Sequence, residues 1–161
     1  MSVSEEDLVF LERAVALARE AAAAGDGAFG SVLVDASRVE RFADRNREVT
    51  LGDETRHPEF EIARWAATNL TTAERAGATV YTSAEHCPMC SAAHAWVGLG
   101  RIVYAASAAQ VSAWRAEVGL APSPVAVLPI TIVAPGLVVD GPVDRYAGEL
   151  RSLILGAPME S

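Results

Sequence analysis

The stretch that decides the fold is residues 78–105, which read ATVYTSAEHCPMCSAAHAWVGLGRIVYA. Residues 78–82 and 101–105 are short runs rich in β-branched and aromatic side chains, and both predict strands. The segment from Pro88 to about Leu99, closed by Gly100, predicts a helix. A strand, a helix and a strand in this order are typical of a parallel pair joined by a helical crossover.

The flanking sequence extends this unit into an α/β domain. Capping and apolar spacing predict helices at residues 4–24, 57–70 and 111–118 and after Pro142, whereas residues 51–55 read as a loop. Residues 29–34 and 38–42 predict an antiparallel hairpin, and residues 130–133 predict a fifth strand. We therefore expect one three-layer α/β/α domain over residues 1–161, with a central five-stranded mixed, mostly parallel sheet.

Composition limits the partners that the protein can have. Half of the residues are hydrophobic, yet no apolar run approaches the roughly 20 residues of a membrane span, and the acidic N-terminus does not resemble a signal peptide. A cytoplasmic location and no membrane partner are therefore expected. The net charge is −8, and the 13 basic residues, all arginine, are scattered singly or interleaved with acids. Because polyanion binding depends on clustered cations, a nucleic-acid partner is disfavoured.

Two fragments carry candidate metal chemistry, HPE at residues 57–59 and CPMC at residues 87–90. Both open predicted helices, where backbone N–H groups favour the thiolate form of cysteine. One imidazole and two thiolates suit tetrahedral Zn²⁺ with a fourth position open for water. A structural site would need a fourth protein ligand, for which His86 and His94 are candidates, and a redox-active cysteine pair is a further alternative.

Glu59 favours the catalytic alternative. It lies two residues after His57, so on a helix it points away from the direction of that ligand and toward the water position beside it. A carboxylate there can take a proton from water and return it to a substrate nitrogen and then to a leaving amine.

At these residues the sequence resembles the cytidine deaminase-like zinc enzymes, whose signature joins H-x-E to P-C-x-x-C. The resemblance extends over residues 26–34, 46–47, 81–90 and 101–106, and it is nearest to the branch of guanine, fungal cytosine and transfer-RNA adenosine deaminases. Two positions depart from the family pattern, because His86 stands where proline is usual and Pro58 stands where alanine is commoner.

The resemblance implies a role for each matching residue. His57, Cys87 and Cys90 would bind zinc, and Glu59 would move protons. Around the substrate ring, the implied contacts are a hydrogen bond from Asn46, packing by Phe29, and a pocket wall formed by Ser83 and Ala84, with the backbone around Glu85 near the reacting position. In the segment after the fourth strand, Trp114 could stack on the ring and Glu117 could bind amino groups.

Other candidate residues have ordinary structural interpretations. Glu61 reads as a surface or supporting carboxylate and His94 as a packed or interface histidine. Trp65 and Trp96 fit core positions better than pocket positions.

The sequence thus predicts a zinc-dependent hydrolytic deaminase that releases ammonia from a free nucleobase or related heterocycle, purine-like or s-triazine. A cytosine or nucleoside deaminase is the near alternative, and a non-catalytic zinc-stabilised binding module is the alternative of another class. The partners expected are a small heterocyclic substrate and water. The resemblance also implies a homodimer formed through helices near the zinc site, and the Ala-rich helix at residues 91–97 is compatible with such an interface.

Overall fold

The computed structural model describes residues 2–156, so the predicted domain over residues 1–161 extends beyond it at both ends. The strands are β1 (Gly30–Val34), β2 (Glu40–Arg45), β3 (Thr79–Ala84), β4 (Ile102–Ala106) and β5 (Val139–Asp140). The helices are α1 (Glu5–Ala23), α2 (Glu48–Leu51), α3 (Pro58–Asn69), α4 (Thr72–Gly77), α5 (Pro88–Trp96), α6 (Ala108–Glu117), α7 (Ile130–Val133) and α8 (Ala147–Gly156). A 3-10 turn at Asp144–Tyr146 leads into α8.

One five-stranded sheet has the order β2-β1-β3-β4-β5. Strand β1 is antiparallel to both of its neighbours, while β3, β4 and β5 pair in parallel, so four of the five strands run in the same direction. The prediction of a mixed, mostly parallel sheet is confirmed. The register places Ser31 opposite Thr82 across the β1 and β3 pair, and this pairing matters for the site described below.

Two hydrophobic clusters, one on each face of the sheet, make the three layers. The first unites α1, α6 and α8 with strand residues such as Val32, Tyr81 and Val103. The second unites α3 with Leu33, Val80 and Leu99. Alternate residues of one strand thus enter different cores, as the two-residue side-chain period of a strand requires. The predicted three-layer α/β/α architecture is confirmed.

Helix α1 packs closely on the sheet because β1 begins with glycine. A Cβ at Gly30 would lie 2.4 Å from the Leu17 Cβ and 2.5 Å from the Ala14 carbonyl oxygen. The helix begins with a capping box in which the Ser4 and Asp7 side chains each bond the other's backbone N–H. The close approach at Gly30 brings the start of β1 directly under α1.

The predicted fifth strand at residues 130–133 is wrong, because this run forms helix α7 and the fifth strand is Val139–Asp140. A run of only four residues cannot distinguish a helix from a strand by periodicity. Here the tertiary structure decides, since the Ile130 N–H donates to the Glu85 carboxylate at 2.9 Å and α7 packs on α5.

Smaller differences concern element bounds. The second strand runs over Glu40–Arg45 and not residues 38–42, helix α2 ends at Leu51 where a loop was expected to begin, and α4 was not predicted. The core position expected for Trp96 is also wrong, because its side chain is 89% exposed at the end of α5. None of the helices within residues 2–156 has the length and apolar character that a bilayer crossing requires.

Candidate metal centre

Two helix N-termini meet beside the end of β3. His57 is the N-cap residue of α3 and Cys87 is the N-cap residue of α5, and each is followed by a proline in the first helical turn. Helices α3 and α5 pack on each other. Proline is tolerated at this position because the first turn has no partner for its N–H. The two fragments that are 30 residues apart in sequence are thereby brought together.

The three predicted ligands form one cluster. The His57 Nδ1 lies 3.5 Å from the Cys87 Sγ and 3.6 Å from the Cys90 Sγ, and all three atoms lie within 4.8 Å of one another. One imidazole nitrogen and two sulfurs are the donors that Zn²⁺ prefers, and three of them leave one tetrahedral position free. The cluster is therefore compatible with zinc.

Charges inside the cluster are strongly coupled. A hydrogen bond from Cys90 lowers the pKa of Cys87 to about 4, with further help from His57, whereas that same bond and burial raise the pKa of Cys90 well above its usual value. Burial alone would lower the pKa of His57, but hydrogen bonds to Cys87 and Glu48 and the charge of Glu59 raise it to about 10. Without a metal, the cluster at neutral pH thus holds one thiolate, one thiol and an imidazolium.

Glu59 is buried beside the cluster, in the first turn of α3. Its Oε1 lies 2.9 Å from the Ser31 hydroxyl and 2.8 Å from the Thr82 hydroxyl, which themselves are 2.8 Å apart. Burial raises the pKa of Glu59, with the His57 charge and the Thr82 hydrogen bond opposing that effect. A carboxyl group with a raised pKa can both accept and donate a proton near neutral pH.

Asn46 and Phe29 lie next to each other at the start of the hairpin. The Asn46 N–H donates to the Phe29 carbonyl oxygen at 2.9 Å, and the Asn46 side chain is buried. Its Oδ1 accepts the Glu48 N–H at 3.0 Å with one of its two lone pairs, which fixes the orientation of the amide group. Phe29 is half-buried against the α1 cluster.

Ser83 and Ala84 are the last two residues of β3, and both are buried. The Ser83 hydroxyl accepts the Gly30 N–H at 3.0 Å, and the Ala84 carbonyl oxygen accepts the Thr82 hydroxyl at 2.9 Å. The next residue, Glu85, accepts the first N–H groups of both α6 and α7, each at 2.9 Å, from Ala108 and Ile130. The Glu85 side chain therefore ties two C-terminal helices to the end of the strand that carries the cluster.

Trp114 and Glu117 are placed differently from the cluster residues. Trp114 is buried in the hydrophobic cluster between α6 and the layer of α1 and α8. Glu117 forms an exposed ion pair with Arg151 at 2.8 Å. Each thus has a structural partner of its own, and their suggested substrate contacts stay predictions.

The alternative fourth ligands do not join the cluster. The group of possible ligands consists of His57, Cys87 and Cys90 and does not include His86. The His86 side chain is buried, and its ring lies edge-on to that of His94 with 5.3 Å between the ring centroids. The His94 Nε2 instead bonds the Gly100 carbonyl oxygen at 2.7 Å. Glu61 pairs with Arg56 at 3.2 Å, as a surface carboxylate would.

The sequence did not indicate three residues that contact the site: Ser31 and Thr82, which bond Glu59, and Glu48, which contacts His57. Ser31 and Thr82 could have been noticed as polar side chains inside apolar strands, since such groups are buried only with partners. Glu48 carried no signal, because it lies in a polar stretch with acidic and basic neighbours. Its Oε1 is 2.6 Å from the His57 Nε2.

The part of the chain that forms the cluster matches a known family. A family model described as the cytidine and deoxycytidylate deaminase zinc-binding region matches residues 4–106. The chain is 35% identical over 105 residues to a probable cytosine deaminase of Schizosaccharomyces pombe, covering 65% of this chain and 63% of that protein. It is 38% identical over 99 residues to a guanine deaminase of Bacillus subtilis, covering 60% and 62%. The matching region thus spans less than two thirds of either relative.

The fold is also similar to a solved structure from a study of A-to-I editing by tRNA:A34 deaminases at the wobble position of transfer RNA. The similarity has a TM-score of 0.66 at 26% identity, and it covers 89% of this chain and 99% of the other. The similarity therefore continues past the residues that the family model matches.

Zinc binding should release about two protons near pH 7, because His57 and one of the two thiols must lose a proton to become ligands. The apparent association constant should then rise about 100-fold per pH unit over the neutral range. Calorimetric titration of the metal-free protein with zinc, in buffers of different ionisation enthalpy, measures the number released. A heat that is the same in all buffers would contradict the charge states assigned to the cluster.

Proposed function

The chain belongs to the family of deaminases that share the cytidine and deoxycytidylate deaminase zinc-binding region, and from that premise we propose that it hydrolyses an exocyclic amine from a free nucleobase or a related heterocycle. The observation that carries the proposal is the position of a buried carboxyl group, Glu59, beside a cluster of one imidazole and two sulfurs. We assign His57, Cys87 and Cys90 as zinc ligands and Glu59 as the residue that moves protons.

Zinc at such a cluster supplies Lewis acidity, which lowers the pKa of water toward neutrality. Glu59 accepts one proton from the attacking water and donates it to the ring nitrogen. It then accepts the second proton, from the hydroxyl group added to the ring carbon, and donates it to the leaving amine. Overall, water adds its oxygen to the ring carbon and ammonia departs, so atoms and charge balance. The Ser31 and Thr82 hydroxyls donate hydrogen bonds to Oε1 of Glu59, and we therefore assign proton transfer to Oε2.

We assign Asn46 to the ring edge of the substrate. The Glu48 N–H donates to its side-chain oxygen, which orients the amide group and its two N–H donors. These donors suit a base that presents an acceptor, such as a ring nitrogen or a carbonyl oxygen. Purine-like bases, cytosine and aminotriazines all have one, and we assign the half-buried ring of Phe29 to pack against such a planar ligand.

The charge of the chain favours a small substrate over transfer RNA. A net charge of −8 and the absence of lysine leave no clustered basic stripe of the kind that phosphate contacts need. Transfer RNA is the second candidate, because the structural similarity covers nearly the whole of a chain from a study of tRNA:A34 deaminases. A non-catalytic zinc module is the third, and it does not account for a buried carboxyl group beside the cluster.

Ammonia release from free bases, nucleosides, aminotriazines and a transfer-RNA transcript tests these candidates. Turnover is expected with a free base or an aminotriazine, and Glu59→Gln should lower it about 10²- to 10⁴-fold while zinc content stays at one equivalent. Turnover of the transcript alone would replace the free-base proposal with the second candidate. Equal turnover by wild type and Glu59→Gln would contradict the role of Glu59.

The Thr82→Val substitution should lower kcat about 10- to 100-fold, because a hydrogen bond to a carboxylate that positions it is lost. KM and zinc content should change little. Thr79→Val is the matched control, since it makes the same change at the start of the same strand, opposite Val34. If both variants turn over equally fast, the hydroxyl of Thr82 does not position Glu59.

We also propose that the chain forms a homodimer through α5. Trp96 is 89% exposed, and it borders an apolar groove lined by Ala92, Ala95, Val133 and Leu137. An exposed indole beside an apolar groove is typical of an interface, and small alanines on α5 allow the same helix of a second copy to approach closely.

Trp96→Glu should convert the dimer to a monomer in sedimentation velocity, because it places a charge in the centre of this face. Val9→Glu is the matched control, since Val9 is also exposed but lies on α1, in the opposite layer. A wild-type protein that sediments as a monomer at all concentrations would overturn the dimer.

A further inference from the structure

Glu48 contacts the one nitrogen of His57 that does not face the sulfurs. Its Oε1 lies 2.6 Å from the His57 Nε2, while Nδ1 on the other side of the ring faces Cys87 and Cys90. We propose that Glu48 is a positioning residue, which holds His57 in the tautomer that carries its proton on Nε2 and turns the Nδ1 lone pair toward the metal. The inference rests on the zinc site of the proposed function, but not on its reaction.

The backbone around Glu48 is fixed on both sides. The Asn46 side chain accepts the Glu48 N–H at 3.0 Å, and two residues later the buried Asp26 accepts both the N–H and the hydroxyl of Thr50. Arg45 balances the charge of Asp26 at 2.7 Å. A four-residue helix without such contacts would be marginal in water. The Glu48 carboxylate is therefore presented to His57 by an anchored turn.

A backbone hydrogen bond also joins the two ends of the loop that carries α2. The Arg47 N–H donates to the Arg56 carbonyl oxygen at 3.1 Å, and Arg56 directly precedes His57 in the chain. The chain neighbours of Glu48 and His57 are thus hydrogen-bonded to each other through the backbone. Because both partners are held, the ion pair costs less side-chain entropy than one between free surface residues.

The chemistry of this contact differs from that of a surface ion pair. Both side chains are largely covered, with 33% of Glu48 and 25% of His57 exposed. A carboxylate that accepts from the non-ligating nitrogen fixes the tautomer and the plane of the ring and makes the ligating nitrogen more basic. Removal of such a partner typically costs 10- to 100-fold in metal affinity. Glu48 is expected to act in this way without touching metal or substrate.

The variants Glu48→Ala, Glu48→Gln and Glu54→Ala separate this role from a general effect of charge. Glu54 is exposed on the loop that follows α2, so its removal takes the same charge from the same segment. Competition with a chelating dye measures zinc affinity directly. Glu48→Ala should bind zinc about 10- to 100-fold more weakly than wild type. Glu48→Gln should stay close to wild type, since its amide oxygen still accepts the Nε2 proton, and Glu54→Ala should be unchanged.

Nitrogen-15 NMR of the three histidines in the zinc-loaded protein supplies a second readout. Wild type should show His57 ligated through Nδ1 and protonated at Nε2, with that proton exchanging faster with solvent in Glu48→Ala. The inference is overturned if Glu48→Ala binds zinc as tightly as Glu54→Ala, or if His57 proves to be ligated through Nε2. Both readouts are independent of turnover, so an inactive wild type would refute the proposed reaction and leave this result standing.

Discussion

The rest of the structure depends on one constraint, which is that the Nδ1 of His57 and the sulfurs of Cys87 and Cys90 lie within 4.8 Å of one another. Both Cys87 and His57 are N-cap residues, so each begins its helix at the point where backbone N–H groups and the helix dipole favour negative charge. The Phe60 N–H, from the first turn of α3, adds a hydrogen bond to the Cys90 sulfur. The cluster is thus part of the contact between two helices and not an addition to it.

The sheet supplies the other wall of the site. Ser31 and Thr82 face each other across neighbouring strands, and the side chains of both reach Glu59 on the helix packed above them. Residues of opposite parity on the same strands, such as Val32 and Tyr81, enter the other core, under α1. The strand period therefore separates a polar group of residues around Glu59 from the hydrophobic cluster under α1.

Support for the cluster comes from two directions. The loop between β2 and α3 is anchored by the buried Asp26, and it carries Asn46 and Glu48. Glu85 binds the start of α6 and of α7, and so connects the C-terminal third of the chain to the end of β3. The apolar groove of α5 beside Trp96 is exposed, and it is the face through which we propose that a second copy binds.

Sequence alone predicted the helix at residues 57–70, the hairpin and the parallel pair, and it named His57, Glu59, Cys87 and Cys90 as the candidate site, because capping, side-chain periodicity and ligand chemistry are local properties. It could not decide whether residues 130–133 form a helix or a strand, since so short a β-branched run suits both until Glu85 caps its first N–H. Nor could it find Glu48 as the partner of His57, or Ser31 and Thr82 as partners of Glu59. Those contacts join residues 9 to 28 positions apart, and only the packing of α2, α3, β1 and β3 brings their atoms within hydrogen-bond distance.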